Sequence, residues 1–265
     1  MPYYKISYRK DTDMVYDLQK ASMWKRASAY IFDFILICIV AVGVCFLLST
    51  ILGYDAHIEK MEAAYSSYEE KYGIDLDISA EDFEKLSDEE KAIYKAADEE
   101  FSKDPELQQI YTLLVNYTLI ITTFGVLAAY LLLEILVPLL FKNGQTVGKK
   151  VFGVAVMRVD GVKLSAPLLF VRAILGKYTI ETMFPVLLVM MAFFTFDIVS
   201  VVVILLFVIL QIVVISVSKT NSAIHDLISG TVAVDMSSQL IFNSPEELME
   251  YKKRLHAEAA DKAAY

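Results

Sequence analysis

Three long apolar runs restrict this chain to a few possible architectures. They cover residues 31–52, 113–141 and 184–217, and each is longer than twenty residues. Runs of about 18 or more apolar residues are typical of membrane-spanning helices, because the hydrocarbon core of a bilayer is about 30 Å thick. The composition agrees, since 56% of the residues are hydrophobic and the mean hydropathy is +0.49, more than a soluble surface usually carries. The sequence therefore predicts an integral membrane protein in contact with a lipid bilayer.

The third run is too long for a single crossing. At 1.5 Å per residue it would form a helix about 50 Å long, whereas the hydrocarbon core is about 30 Å thick. We expect it to fold back at residues 195–197, which gives two spans at about 179–195 and 198–218. The other two runs give spans at about 27–53 and 111–141. The predicted fold class is therefore an all-α membrane protein with a four-transmembrane-helix bundle.

Basic residues are concentrated in two segments that we predict to lie in the cytoplasm. One is the N-terminal arm, residues 1–20, together with Lys25 and Arg26, and the other joins the second span to the third. Loops rich in lysine and arginine stay on the cytoplasmic side of a membrane. Four spans return the chain to the side where it started, so both termini are predicted to be cytoplasmic and residues 55–110 to lie on the opposite side.

Residues 55–110 carry most of the negative charge of the chain and have the features of helices. Ser87 and Glu90 form a capping-box pattern, and Asp104 followed by Pro105 is typical of a helix start. We predict an acidic, extracytoplasmic helical insert. Two interpretations of it remain open, a hairpin that only links two spans and a sensor or ligand-binding element.

Short segments rich in β-branched residues predict a small cytoplasmic β element. Residues 151–159 are followed by Asp160-Gly161, a strong hairpin turn, and residues 231–235 form another candidate strand. A lone hairpin is only marginally stable, so a third strand from the tail would help. That tail, residues 237–265, is predicted to contain a polar cytoplasmic helix that starts at Pro245.

Ionisable residues within the predicted spans are the most informative candidates for a functional site. A charge near the middle of a span costs about 2.5–3.5 kcal/mol or more, so it persists only when it is paired, hydrated or useful. Asp33 and Glu134 both lie about 10–12 Å from the cytoplasmic interface, counted from Lys25 and Lys142. Two neighbouring carboxylates in low dielectric do not ionise together easily, which suits a proton or cation site. The alternative is that each pairs separately with a nearby lysine or arginine.

Asp226 is a third acidic candidate, and it lies just past the last span beside His225. Its expected basic partner is Arg26 or Arg172. Arg26 is too far from Asp33 along the first helix to touch it directly. The imidazole of His225 is either a group that titrates near neutral pH or an ordinary polar contact.

Three ordered motifs resemble the signatures of the RDD family of membrane proteins. The first is Trp24–Asp33, the second is Gly144–Lys150 with the Asp160-Gly161 turn after it, and the third is His225–Thr231. The resemblance covers about residues 21–236, which would form the membrane domain. It is interrupted by the acidic insert, where many members have a shorter connection.

The resemblance also implies which charged residues matter. The family is named for one arginine and two aspartates, which here look like Arg26, Asp33 and Asp226. Arg172 falls where the family often has an arginine. The residues predicted to support this charge network are Arg172, Glu181 and His225.

Family membership would imply a multi-pass protein of the bacterial inner (plasma) membrane, with a function that differs between members. Some members have been linked to cation/proton antiport, in which Asp33, Glu134 and Asp226 would bind and release an inorganic cation or a proton. A homo-oligomer is then expected, because four spans make a small transporter. Other members look like accessory or scaffold subunits, in which the same charges hold the helices together and an unknown protein partner docks. Both interpretations remain open.

Other function classes have little support in the sequence. No Ser/His/Asp order, H-E-x-x-H or CxxC pattern indicates an enzyme, and the three histidines are scattered, so no catalytic residue, metal or cofactor is predicted. The lack of a basic stripe argues against nucleic-acid binding. Gly144–Lys150 lacks the spacing of a phosphate loop, so its lysines are expected to meet anionic lipid headgroups at a basic turn.

Overall fold

The computed structural model describes residues 18–141, 144–195 and 198–263. It is 77% helical with one two-stranded sheet, so the predicted all-α membrane class is confirmed. The basic residues near the start of the N-terminal arm, Lys142, and residues 196–197 of the predicted turn lie outside the described residues. In chain order the elements are α1 (Met23–Leu52), α2 (Tyr54–Tyr72), α3 (Ala80–Lys85), α4 (Asp88–Lys103), α5 (Pro105–Phe141), α6 (Val147–Val151), β1 (Val154–Arg158), α7 (166–195), α8 (Ile198–Val217), α9 (Ile224–Ser229), β2 (Thr231–Asp235) and α10 (Pro245–Ala263).

Four of the described helices, α1, α5, α7 and α8, are long and apolar enough to cross a membrane. Helix α7 begins earlier than its predicted span, at Ala166 rather than near residue 179. The charged side chains of Arg172 and Lys177 do not end this helix, because both are buried against acidic partners. Positive charge that the sequence assigned to a loop therefore lies inside a helix.

Two of these helices contain π-helical stretches, in which a backbone N–H donates to the carbonyl five residues earlier. In α5 the stretch is Leu131–Leu136, and in α7 it is Val171–Met183. The N–H of Phe184, for example, donates to the carbonyl of Thr179. Such geometry is rare and occurs frequently at functional sites. Here the two stretches carry four of the charged residues described below.

The strands predicted within residues 151–159 and 231–235 are present as β1 and β2, which pair antiparallel. The predicted turn after β1 is tight, and Gly161 has the positive φ of 90° that favours glycine. Val162 then forms a parallel bridge with Phe242 in the tail. A tail residue thus extends the small sheet, as the weakness of a lone hairpin predicts.

The core of this region lies at the sheet and at the start of α10. Helix α10 begins at Pro245, as predicted, and its Leu248 packs with Val162 and Phe242. The strands contribute a second cluster of buried apolar side chains: Ala155, Met157, Val232 and Val234.

The chain divides into two compact units, of which one is Ala41–Gly125 and the other contains the described residues up to Val40 and from Val126 onward. The first unit contains the predicted helical insert. Its capping box is formed, since the Ser87 hydroxyl accepts from the Glu90 N–H and the Glu90 carboxylate accepts from the Ser87 N–H. Helices α2 and α4 pack through aromatic side chains: the ring centroids of Tyr65 and Phe101 are 4.5 Å apart.

Candidate functional site

A network of charged side chains is buried in the unit that contains Asp33 and Asp226. Within the described part of the chain, four acids, four bases and one histidine form ion pairs there. Burying a charge is costly unless an opposite charge and hydrogen bonds compensate it, and the formal charges of these acids and bases balance. The members are Arg26, Asp33, Glu134, Lys149, Arg172, Lys177, Glu181, His225 and Asp226.

Asp33 lies on the buried face of α1, one turn from Ala29 and one from Ile37. Its Oδ1 accepts a hydrogen bond of 2.7 Å from the backbone N–H of Gly148, and its Oδ2 accepts one from the hydroxyl of Thr146. The ammonium of Lys149 is 3.9 Å from Oδ2. We call Asp33, Thr146, Gly148 and Lys149 the Asp33 cluster.

The Asp33 cluster requires glycine at position 148. A Cβ there would lie 2.9 Å from Asp33 Oδ1 and closer still to the carbonyl oxygen of Ala29. Thr146 caps α6 by accepting from the N–H of Lys149. The short helix therefore approaches α1 closely enough for its backbone to bind the carboxylate.

Glu134 lies in the π-helical stretch of α5 and is almost fully buried. Its Oε1 accepts a hydrogen bond from the ammonium of Lys177, which lies in the π-helical stretch of α7. Its Oε2 is buried and, among the described residues, has no hydrogen-bond partner. The two stretches are also joined by the Tyr130 and Thr182 hydroxyls, 2.7 Å apart. One oxygen of this carboxylate is therefore fixed and the other is not.

Asp226, in α9, is bound directly by a buried guanidinium. Arg172 Nε donates to Asp226 Oδ1 at 2.9 Å, and the Thr231 hydroxyl donates to the same oxygen at 2.9 Å. Arg26 approaches Oδ2 at 3.9 Å. Burial alone would raise the pKa of Asp226, but the positive charge of Arg172 and these hydrogen bonds hold it well below its usual range. We call Asp226, Arg172, Arg26 and Thr231 the Asp226 cluster.

The backbone and ring of His225 bind Glu181. Glu181 Oε1 accepts from the His225 N–H at 2.9 Å, and its Oε2 lies 2.7 Å from His225 Nδ1. Burial lowers the pKa of His225, which favours the neutral ring with Nδ1–H donating to Glu181. Helix α9 approaches α7 this closely because residue 176 is glycine: a Cβ there would lie 2.5 Å from the His225 Cβ.

The π-helical geometry of α7 places Arg172 and Glu181 on the same side of the helix. Residues nine apart are about two and a half turns apart in an α-helix with 3.6 residues per turn, and so face opposite sides. A helix with i→i+5 hydrogen bonds has more residues per turn, so the same spacing is about two turns. Both side chains can then face α9, where they bind Asp226 and His225.

The family comparison agrees with this geometry. The model of the RDD family matches residues 20–230, which is most of the chain. The chain belongs to the RDD family. No curated protein and no solved structure matched it. In this RDD protein the arginine and the two aspartates that resemble the family signature, Arg26, Asp33 and Asp226, all belong to the buried network.

The structure divides the predicted site residues of this RDD protein between the two clusters. Arg26 and Arg172 both approach Asp226, and the Arg26 guanidinium also donates to the carbonyl of Thr220 at 3.4 Å. Asp33 and Glu134 have different hydrogen-bond partners. Among the described residues, no group of three or more histidine, cysteine or acidic side chains is arranged to hold a metal ion.

Lys149 lies within electrostatic reach of both Asp33 and Glu134. Burial, and then the positive charge of Lys177, lower the pKa of Lys149 to about 7. The expectation that this lysine meets lipid headgroups was wrong, because its side chain is 8% exposed and points to Thr146 and Asp33. Lys150 is exposed, with its ammonium 3.8 Å from the centroid of the Phe141 ring.

Sequence reasoning missed four members of the site. Thr146, Gly148 and Lys149 were placed in a basic turn, although a threonine followed three residues later by the first residue of a lysine pair fits an N-cap as well. Lys177 was counted as a loop charge. The spacing of five between Arg172 and Lys177 gave no signal, because it suits a π-helix and not an α-helix.

Proposed function

We propose that this RDD protein moves a proton or a small inorganic cation across the membrane by way of its buried carboxylates, and that its role is transport rather than catalysis. The observation that carries this proposal is the free Oε2 of Glu134. A buried polar atom without a partner costs about 1–3 kcal/mol, and more when it is charged. Such an oxygen, held in place by Lys177 through Oε1, is suited to bind a mobile proton or cation.

Lys149 supports the same proposal. It lies 3.9 Å from Asp33 and within electrostatic reach of Glu134, so its charge influences both carboxylates. An ammonium can lose its proton, whereas a guanidinium in a protein does not. Gain and loss of the Lys149 proton would therefore change the charge that Asp33 and Glu134 experience.

We propose that this protein lies in the inner (plasma) membrane of a bacterium with both termini in the cytoplasm. The support is the concentration of basic residues before α1 and between α5 and α7. Under this orientation the acidic insert faces away from the cytoplasm. A homo-oligomer is part of the proposal, because α8 has few buried residues within this chain and one copy supplies only four candidate spans.

Flux measured in proteoliposomes tests the proposal. Purified protein is reconstituted with an internal pH dye, and a pH gradient is applied with and without Na⁺ or K⁺. We expect movement that Glu134→Gln and Asp33→Asn each slow by about tenfold or more, because each removes a protonatable group. Asp160→Asn is the matched control, since Asp160 is an exposed acid paired with Arg158, and it should transport like the parent protein.

A scaffold role is the second candidate, and the Arg172–Asp226 pair favours it. A fully buried guanidinium bound to a carboxylate fixes α7 to α9, which serves a rigid support as well as a transporter. In that case folded parent protein shows no flux under any gradient. Asp33→Asn and Glu134→Gln then lower only the unfolding temperature, and an unidentified protein partner is to be sought at the insert or the sheet.

A further inference from the structure

The acidic insert contains a groove whose size suits a small molecule. Its volume is about 510 Å³, within the range of roughly 300–1,000 Å³ that is usual for ligand pockets. It lies inside one compact unit, between residues of α2, α4 and the start of α5. The groove plays no part in the transport proposed above, and it stands or falls independently of that proposal.

Aromatic side chains form much of the groove. Tyr65 and Phe101 pack against each other, Tyr94 lies half-buried, and Tyr111 is 53% exposed at the opening. The hydroxyl of Tyr94 donates to the carbonyl of Leu76 at 3.1 Å, which fixes that ring in the groove wall. Aromatic faces carry partial negative charge and attract cations, above all organic ammonium ions.

One carboxylate, that of Asp98, completes the lining. Its side chain makes no hydrogen bond or ion pair with any other described residue, although neighbouring acids such as Glu99 and Glu100 are paired with lysines. Partial burial, and then the negative charge of Asp98, raise the pKa of Tyr65, which places this carboxylate close to the aromatic wall. An acid beside several rings is the usual composition of a site for an organic cation.

The charge of the surroundings favours the same class of ligand. Residues 55–110 contain eighteen acidic and six basic residues, which gives a net charge of −12, whereas the whole chain has −9. A field of one sign concentrates ligands of the opposite sign near the surface. Anionic ligands are disfavoured for the same reason.

We propose that this groove binds a small organic ammonium ion, with Tyr65, Phe101 and Tyr111 facing the alkyl ammonium group and Asp98 compensating its charge. The site is specific to this chain's insert and belongs to none of the motifs that resemble the family. The ligand is defined by its chemistry, a compact cation with apolar substituents on nitrogen. Inorganic cations, which carry tightly held water, are expected to bind more weakly.

Calorimetric titration of the full-length protein in a maltoside detergent tests this proposal. The probes are choline and its uncharged dimethylbutanol analogue, in which carbon replaces nitrogen. We expect choline to bind at least about fivefold more tightly than the analogue. Asp98→Asn and Tyr65→Leu should each weaken choline binding by about three- to tenfold, whereas Tyr65→Phe, which keeps the ring, should change it by less than about twofold.

Glu99→Gln is the matched control, because it removes the same charge from the neighbouring position, where the acid pairs with Lys103 instead of lining the groove. It should leave choline binding unchanged. A short-chain phosphocholine lipid used as competitor shows whether the ammonium group is also accepted from a headgroup. Equal binding of choline and its uncharged analogue would overturn the proposal. So would the absence of choline binding to folded protein, or an Asp98→Asn variant that behaves like Glu99→Gln.

Discussion

The Asp33 cluster and the Asp226 cluster each bury a carboxylate, but they compensate its charge by different means. Asp226 is bound directly by the guanidinium of Arg172 at 2.9 Å. Asp33 is bound by a hydroxyl and a backbone N–H, and its nearest ammonium is 3.9 Å away. An arginine keeps its charge at every accessible pH and a buried lysine does not. The difference teaches that Asp226 is held in one state, whereas the charge around Asp33 can change.

Both clusters use a glycine to bring a short helix against a long one. Gly148 lets α6 approach α1, and Gly176 lets α9 approach α7. Each carboxylate also accepts from a threonine hydroxyl, Thr146 in one cluster and Thr231 in the other. The packing device is therefore shared, and the contrast lies in the basic residue alone.

Removing the guanidinium should break the Asp226 cluster and gives the largest expected effect. Arg172→Met leaves Asp226 buried without its ion-pair partner, which should cost about 3–5 kcal/mol. The measurement is the unfolding temperature in detergent, together with the yield of folded protein. Arg158→Met is the control, because Arg158 belongs to an exposed pair and should cost no more than about 1 kcal/mol. Equal losses in the two variants would contradict the assigned difference between the pairs.

The pH dependence of stability should distinguish the two clusters next. The pKa of Lys149 is about 7 in the folded protein, against about 10.4 in an unfolded chain. Between these values the unfolded chain holds a proton that the folded protein has released, so stability should rise with pH across this window. The slope for one proton is at most about 1.4 kcal/mol per pH unit.

Unfolding temperatures measured from pH 7 to 10 test this dependence. Lys149→Met should remove the rise, and Lys150→Met, which changes the exposed neighbouring lysine, should retain it. Arg172 contributes nothing to the slope, because its guanidinium stays protonated in both states. A slope that persists in Lys149→Met would assign the titration to another group and weaken the contrast drawn above.

A methyl group added at the glycine contact should separate α9 from α7. The Cβ of Gly176→Ala would lie 2.5 Å from the His225 Cβ and 2.7 Å from its Cα, and overpacking of this kind typically costs about 1–3 kcal/mol. The control is Gly43→Ala in α1, where a Cβ meets nothing within 4 Å; there the better helix propensity of alanine should stabilise slightly. Thermal unfolding of both variants provides the comparison. Equal behaviour would show that the close approach at Gly176 does not matter.

Neutralising Asp33 should have the smallest effect on stability. In Asp33→Asn the amide oxygen can still accept from Gly148, and no guanidinium is left unpaired, so the cost should be about 1–2 kcal/mol. Asp226→Asn, measured under the same conditions, should cost more, because Arg172 then remains buried without a carboxylate. The order of these two unfolding temperatures is the test. If Asp33→Asn were the more destabilising change, Asp33 would be the structural anchor and the comparison would be inverted.

The sequence predicted the parts of the fold that depend on composition and short patterns. Apolar run length gave the four candidate spans, a capping pattern gave the start of α4, and proline gave the start of α10. The paired strands followed from β-branched segments and a turn. These features are decided by residues close together in the chain, which is why they were accessible without coordinates.

The pairing within the charge network was only partly predictable. The acidic members stood out because a charge in an apolar run is expensive. Their partners did not: Lys149 and Lys177 have the same composition signal as lysines in any loop, and only the folded chain brings them to Asp33 and Glu134. The early start of α7 was missed for the same reason, since buried ion pairs allow a helix to continue through residues that usually end a span.

The π-helical stretch of α7 makes the number of residues between its charges a constraint on evolution. Removing one residue between Arg172 and Glu181 would turn everything beyond it by about 100° around the helix axis, so Glu181 could no longer reach the imidazole on α9 while Arg172 stayed on Asp226. Relatives that keep both partners must therefore keep the interval, even where the identities in between drift. In this segment length is inherited more strictly than sequence.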